Sequence, residues 1–165
     1  MLVKSTLLSL PVYHMQATLL LPKTIKSMEQ IMRRFLWNKV GHGNYYAQIG
    51  WKTICLPKKN GGLGIKQFTH WNKAFLLKLL WICYQKQDQP WVHLIAAKYL
   101  HNTSIELAES NVHYSPFWKS LLTCSDKFFD NICIHIGEGA NTSFWYDKWL
   151  PMGPLAKQIE SEPPN

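Results

Sequence analysis

Apolar residues recur at helical spacing along most of the chain, and prolines mark where one helix gives way to the next. Residues 2–10 read as a short helix, which Pro11 breaks or kinks because proline lacks a backbone N–H and clashes with the preceding turn. A second helical stretch then runs to about Leu20. Pro22 suits the first position of another helix, where its missing N–H costs nothing, and apolar spacing continues to Trp37. The chain therefore begins with a predicted helical segment.

Two apolar helices are predicted in the middle of the chain. Thr69 suits the N-cap of a helix that ends near Tyr84. This helix is apolar on nearly all sides, so we expect it to be buried in a bundle or under a partner. Pro90 opens another helix, which reaches about Leu100. Its predicted apolar stripe consists of Trp91, Leu94, Ile95 and Tyr99.

Shorter elements fill the remaining sequence. Residues 46–56 are a candidate short strand, and Ser115 with Pro116 forms an N-cap and first-turn pair for a helix through about Leu122. Isoleucines at alternate positions 132, 134 and 136 precede the turn Gly137–Glu138–Gly139, and SFWYDKW provides a returning strand. This pattern predicts a small β-hairpin.

The predicted fold is therefore mainly α, a helical bundle followed by further helices and a small C-terminal β-hairpin. Five segments follow from the pattern: helical 1–40, a basic glycine-rich loop and strand connector 41–68, helical 69–130, the hairpin 131–150 and a disordered tail 151–165.

Composition indicates a packed intracellular protein, nuclear or cytoplasmic. Of 165 residues, 47% are apolar and eight are Trp, which is too apolar for a disordered chain. The four cysteines are widely spaced, so reduced thiols are expected rather than a disulfide scaffold. Pro11, His14 and Gln16 interrupt the apolar N-terminal run, which argues against a signal peptide or a membrane span. We expect neither secretion nor a membrane partner.

All of the excess positive charge lies in residues 1–66, which carry ten basic side chains, one acid and a net charge of +9. The remaining 99 residues carry eight lysines and nine acids, a net charge of −1. Such asymmetry indicates a polyanionic partner, either nucleic acid or an anionic membrane, or else an ordinary solvated basic surface. The basic residues are Lys4, Lys23, Lys26, Arg33, Arg34, Lys39, Lys52, Lys58, Lys59 and Lys66.

The helix at residues 23–37 separates apolar and basic side chains. On a helical projection its apolar side chains span an arc of about 140°, and the basic side chains span about 100° on the other side. Such a basic face suits contact with a phosphate backbone, although a solvated helix face is the simpler alternative. The apolar set is Ile25, Met28, Ile31, Met32, Phe35 and Leu36; the basic set is Lys23, Lys26, Arg33 and Arg34.

The segment PKKNGGLGI predicts a turn that carries Lys58 and Lys59. Glycine-rich turns with flanking lysines can bind phosphate through backbone N–H groups. This one matches neither of the standard nucleotide-binding patterns, so an ordinary turn is the preferred interpretation and no cofactor is expected.

Several stretches resemble, in order, the region that follows the polymerase palm in plant-type non-LTR (LINE) retrotransposon reverse transcriptases. LVKSTLLSLPVYHM is similar to that family's "LIKSVL…PVYYM", and LPKTIKSMEQIMRRFLW to its "LP…I…I…FLW" helix. The likeness continues in IGWKTICLPKKNGGLGI, FTHWNKAFLLKLLWI, SPFWKSLL and IGEGANTSFWYDKWL, and so covers about residues 1–150. Ile134 and Tyr146 depart from the family, which often has Trp and Glu there.

The resemblance implies that residues 1–40 form a helical thumb beside a primer–template duplex and that later residues connect to a Cys/His-rich region. The chain would then be a fragment that contributes non-catalytic, sequence-independent contacts to RNA and DNA. Its partners would include the upstream palm and the downstream Cys/His-rich region. The expected nucleic-acid contacts are Lys23, Lys26, Arg33, Arg34, Lys39, Lys58 and Lys59.

No catalytic residues or metal ligands are predicted. Polymerisation needs clustered aspartates that hold two Mg²⁺ ions, yet the chain has no Asp-Asp pair and no Asp in its first 87 residues. Cys124 and Cys133 lack the close spacing of structural zinc ligands. We therefore expect no enzymatic activity of the chain by itself. An alternative function is a decayed or domesticated helical module that binds proteins and has no role with nucleic acid.

Overall fold

The computed structural model is mainly helical, and six α-helices lie within the residues that it describes. They are α1 (Val12–Ala17), α2 (Pro22–Trp37), α3 (Trp51–Ile54), α4 (Phe68–Tyr84), α5 (Pro90–Ile95) and α6 (Pro116–Asp130). The residues described are 6–37, 47–100, 105–108, 110–139, 142, 144–145, 148–150, 152, 155 and 158.

The chain divides into two compact units. The first comprises Met1–Leu79 with Tyr114–Leu121, and the second comprises Leu80–His113 with Leu122–Asn165. Apolar side chains from several elements of the first unit form one buried cluster. Its members are Leu8, Met15, Ile25, Met32, Ile54, Ile65 and Phe68.

Two buried polar side chains fix the junction between α1 and α2 in the first unit. The side-chain oxygen of Asn72 accepts a hydrogen bond from the Leu20 N–H at 2.8 Å, and its NH₂ group donates to the carbonyls of Met15 and Thr18 at 2.7 and 2.9 Å. The Ser120 hydroxyl accepts from the Leu19 N–H at 2.9 Å. These bonds satisfy backbone groups that the end of α1 leaves free.

Several predicted helix ends are confirmed and others are shifted. Helix α2 begins at Pro22 and ends at Trp37 as predicted. The Ser115 hydroxyl accepts the N–H of Trp118 at 3.3 Å, so the predicted cap is confirmed. However, α6 runs on to Asp130, well beyond Leu122.

The predicted starting points of two helices need correction. Helix α4 begins at Phe68 because the Trp71 N–H bonds the Gln67 carbonyl, which places Thr69 inside the helix rather than at its cap. In the predicted helix at 2–10, the described residues 6–10 form π-type and open turns, and regular α-helix begins only after Pro11.

The candidate strand at 46–56 is wrong. Among its described residues, Trp51–Ile54 form one turn of α-helix, with the Ile54 N–H bonded to the Gly50 carbonyl at 3.2 Å. Residues 57–64 turn the chain, beginning with a 3₁₀ turn at Lys58–Asn60.

The predicted C-terminal hairpin at 131–150 is not supported, because its described residues contain no strand. One backbone bond joins Ile134 N–H to the Lys148 carbonyl at 3.0 Å, which is too little for a ladder. The rings of Phe144 and Trp149 lie 5.5 Å apart. Five residues of strand would separate two residues by about 16 Å, so Phe144 and Trp149 do not lie along one extended strand.

The second unit contains α5 and an aromatic cluster. Helix α5 continues as a π-helix over Ala96–Leu100, so the predicted extent to Leu100 holds although the winding changes. Val92 and Ile95 are buried while Leu94 is exposed, which shifts the predicted stripe away from Leu94. Trp81, Tyr84, Phe128 and Phe129 pack edge to face or tilted, with ring centroids 5.2–6.2 Å apart.

Candidate nucleic-acid interface

Helix α2 presents three basic side chains to solvent. Lys23, Lys26 and Arg34 are exposed, and none of them forms a salt bridge with another described residue. The rise from Lys23 to Arg34 is about 16 Å along the helix axis. Duplex DNA carries roughly one phosphate per 1.7 Å of axis, so such a length offers more phosphates than this face has charges.

The packed face of α2 is rotated from the one that periodicity alone predicts. Ile25 and Met32 are buried, whereas Ile31 and Phe35 are 59% and 51% exposed. Buried positions are centred about 40° from the middle of the apolar arc, on the side of Arg33. On that side, Trp51 of α3 lies beside Arg33, and Ile54 of α3 belongs to the same buried cluster as Ile25 and Met32.

Arg33 differs from the other basic residues because it contacts protein on two sides. Its Nη2 lies 3.6 Å from Oε2 of Glu29, one turn earlier. Its guanidinium carbon lies 5.3 Å from the centre of the Trp51 ring, within cation–π range. Arg33 therefore joins α2 to α3, and the exposed line of positive charge consists of Lys23, Lys26 and Arg34.

Cys55 lies in the electrostatic field of the same pair. Burial raises the pKa of the Cys55 thiol, the Glu29 carboxylate raises it further, and the Arg33 guanidinium lowers it. Arg33 is therefore the smallest of the three influences on the pKa of this thiol.

The glycine-rich turn does not offer its amides to a ligand. Five consecutive N–H groups, at residues 60–64, donate to the carbonyls of Pro57, Lys58, Ile54 and Leu56 at 2.7–3.2 Å. Gly61 adopts φ +81°, a left-handed conformation that glycine takes without strain. Phosphate binding through backbone N–H groups would need these amides to be free, so the ordinary-turn interpretation is favoured.

The turn nevertheless places lysine side chains in solvent. Lys58 and Lys59 are exposed, as are Lys52 and Lys66 on either side. The predicted contact Lys39 lies outside the described residues. Trp37, at the end of α2, is half-buried and packs against the buried cluster of the first unit.

An apolar cavity of about 280 Å³ opens beside α2 on the first unit. Exposed Leu10 and Ile31 lie at its edge. Its lining is Leu7, Leu10, Pro11, His14, Met28, Ile31, Met32 and Phe68.

The part of the chain that the structure describes has neither a candidate metal site nor a candidate membrane-spanning helix. There, no three His, Cys, Asp or Glu side chains lie close enough together to hold a metal ion. Cys124 is buried while Cys133 is exposed. Among the same residues, none of the helices has the length and apolar character needed to cross a membrane.

The chain is similar to a segment of one plant protein. That protein, from Arabidopsis thaliana and provisionally named a ribonuclease H protein, is 30% identical over 169 aligned residues, which cover 99% of this chain. The alignment covers 27% of the Arabidopsis protein, so the chain spans about a quarter of its length. No protein-family pattern and no solved structure matches the chain.

Sequence reasoning missed two residues that shape this interface. Glu29 stands four positions before Arg33, a spacing that brings side chains together on a helix, so their pairing had a visible signal. No sequence signal pointed to Trp51, because its contact with Arg33 depends on how α3 packs.

Proposed function

We propose that this chain is a nucleic-acid-binding, non-catalytic segment of a plant retroelement protein. It contacts the phosphate backbone of RNA–DNA hybrid or duplex through α2, without sequence preference. The observation that carries the proposal is the exposed line of Lys23, Lys26 and Arg34 opposite a buried apolar face. Lys58 and Lys59 add charge on the neighbouring turn.

Two likenesses support this proposal. The ordered motifs of residues 1–150 resemble the region after the palm of LINE-type reverse transcriptases, where a thumb lies beside the primer–template duplex. The name of the Arabidopsis relative refers to ribonuclease H, which also concerns nucleic acid. Phosphate contacts carry little base information, so the expected binding is independent of sequence.

Replacing Lys23, Lys26 and Arg34 together by glutamine should weaken binding and flatten its salt dependence. Each lost phosphate contact lowers the slope of log K against log salt by roughly 0.9 on duplex DNA, so the triple variant should lose about 2 to 3 units. The fold should persist, because all three side chains are exposed. Fluorescence-anisotropy titrations at several salt concentrations measure this slope.

A matched control removes the same charge elsewhere. Lys78, Lys86 and Lys127 are exposed and lie outside residues 1–66, so their triple glutamine variant should keep nearly the whole slope. Equal losses in the two variants would show that only net charge matters and would contradict a site on α2.

The second part of the proposal is the absence of catalysis by the chain itself. Purified protein should incorporate no nucleotide into any primer with Mg²⁺ or Mn²⁺, because the sequence has no Asp-Asp pair to hold two metal ions. A primer-extension assay with labelled nucleotides measures this. Incorporation that co-purifies with the chain and persists through a further chromatographic step would contradict the proposal.

A protein-interaction module is the alternative function, and the apolar cavity with exposed Leu10 and Ile31 favours it. The two functions differ in the salt titration. A module without a nucleic-acid role would bind duplex weakly, and its triple variant at Lys23, Lys26 and Arg34 would behave like the control.

A further inference from the structure

Arg33 is held in a conformation that leaves one of its donors without an acceptor. Its Nη2 reaches a single oxygen of Glu29 at 3.6 Å, at the long end for a charged pair. Its Nε is buried from solvent and forms no hydrogen bond. The guanidinium plane lies near Trp51, 5.3 Å from the ring centre.

The contacts that hold Arg33 against the protein are weaker than the penalty of its unpaired N–H. An ion pair one turn apart on a partly exposed helix stabilises only weakly, whereas a buried N–H without an acceptor is costly. The Arg33 side chain remains 39% exposed, so it has room to turn outward. A phosphate oxygen pair accepts Nε and an Nη of one guanidinium together, which would satisfy the free donor.

Arg33 also stands where such a phosphate would lie. On the helical projection it is about 20° from Lys26 and two turns further along, a rise of about 10 Å. A backbone that follows Lys26 along α2 therefore passes close to Arg33.

We propose that Arg33 is a restrained phosphate ligand, which Glu29 and Trp51 hold against the protein until a nucleic-acid phosphate takes the guanidinium from them. This inference rests on the proposed function, since it assumes that α2 meets a phosphate backbone. Glu29 is then an intramolecular competitor of the nucleic acid.

A double-mutant cycle tests the competition. Four proteins are titrated with duplex DNA: wild type, Glu29→Gln, Arg33→Gln and the double variant. Arg33→Gln should weaken binding about eightfold at about 0.1 M salt and lower the slope by roughly 0.9. Glu29→Gln should strengthen binding, and its gain should be about twofold larger with Arg33 present than in the Arg33→Gln background, the worth of one such ion pair.

The cycle separates competition from general electrostatics. Removing the Glu29 charge should increase the affinity for any polyanion whether or not Arg33 is present. Only the additional increase in affinity seen when Arg33 is present reports the release of Arg33 from Glu29. Circular dichroism checks folding; if Arg33→Gln unfolds, Arg33→Lys takes its place. Lysine keeps the charge but lacks the paired donors, so Arg33→Lys should bind duplex DNA more weakly than wild type does.

The Cys55 thiol gives a second readout. Because Arg33 lowers the pKa of Cys55, movement of Arg33 toward nucleic acid should raise this pKa and slow alkylation of the thiol. The polyanion itself also raises it, so the duplex should slow Cys55 alkylation more in wild type than in Arg33→Gln. Peptide-resolved mass spectrometry distinguishes Cys55 from the other cysteines.

Three outcomes would overturn the inference. They are an equal effect of Glu29→Gln in both backgrounds, an unchanged salt slope in Arg33→Gln, and equal slowing of Cys55 alkylation in the two proteins. Each can occur while the Lys23, Lys26 and Arg34 variant still loses its slope, in which case the proposed function stands and Arg33 is a packing residue. Absence of binding by the wild type would overturn both.

Discussion

Replacing Asn72 by alanine is expected to lower the free energy of unfolding by about 3 to 5 kcal/mol, from three lost hydrogen bonds and a small cavity. Asn72 is fully buried, and its amide binds three backbone groups of residues 15–20. In the variant, the Leu20 N–H and the carbonyls of Met15 and Thr18 lose their partners. Folded domains are stabilised by only about 5–15 kcal/mol, so this loss is large. Denaturant titration followed by circular dichroism measures it.

The chain offers a matched control at Asn131. This exposed asparagine also donates from its side chain to a backbone carbonyl, that of Lys127 at 2.7 Å. Water replaces the lost bond there, so Asn131→Ala should change stability by less than about 0.5 kcal/mol. A similar small change at Asn72 would show that its three bonds do not hold the α1–α2 junction.

Asn72→Asp provides a sharper comparison. Aspartate keeps an oxygen for the Leu20 N–H but places a second oxygen against the carbonyls of Met15 and Thr18. Burial of that unpaired charge is costly, so the aspartate variant should be no more stable than the alanine variant. Recovery of most of the stability by aspartate would locate the effect in the Leu20 bond alone.

Local sequence signals predicted the helices well where the signal and the structure share the same residues. Pro22 begins α2 because its fixed φ and missing N–H suit a first turn. Ser115 caps α6 because its hydroxyl reaches an N–H three residues ahead. Each effect acts within one turn of helix, so neighbouring sequence is sufficient to predict it.

Features that depend on distant residues could not be predicted in the same way. Periodicity placed Arg33 with Lys23 and Lys26 on one basic face. In the structure, the Arg33 guanidinium instead lies over the ring of Trp51, which is 18 positions later in the sequence. The alternating isoleucines before Gly137 resemble a strand, yet Trp149 folds back onto Phe144, its indole N–H donating to the Phe144 carbonyl, and so the two do not lie along one extended strand. Asn72 carried no signal, because its partners lie more than fifty residues earlier in the chain.

Gly62→Ala is expected to disrupt the turn that carries Lys58 and Lys59, at a cost of about 3 kcal/mol or more. A methyl group at Gly62 would overlap the backbone carbonyl of Leu56 and cannot be relieved by moving a side chain. The main chain must shift instead, which breaks the bonds from Gly62 to the Pro57 carbonyl and from Gly64 to the Leu56 carbonyl. Denaturant titration measures the loss of stability.

Two other glycines make the prediction specific. Gly61 has no atom within 4 Å of an added methyl group but has φ +81°, so Gly61→Ala should cost only about 1 to 2 kcal/mol of backbone strain. Gly137 has open space and no such φ, so Gly137→Ala should be nearly neutral. The expected order of destabilisation is Gly62, Gly61, Gly137, and a Gly62→Ala protein as stable as wild type would contradict the packing of the turn against Leu56. If Lys58 and Lys59 contact phosphate, Gly62→Ala should also reduce the salt slope of duplex binding while Gly137→Ala leaves it unchanged, because only the first substitution moves those lysines.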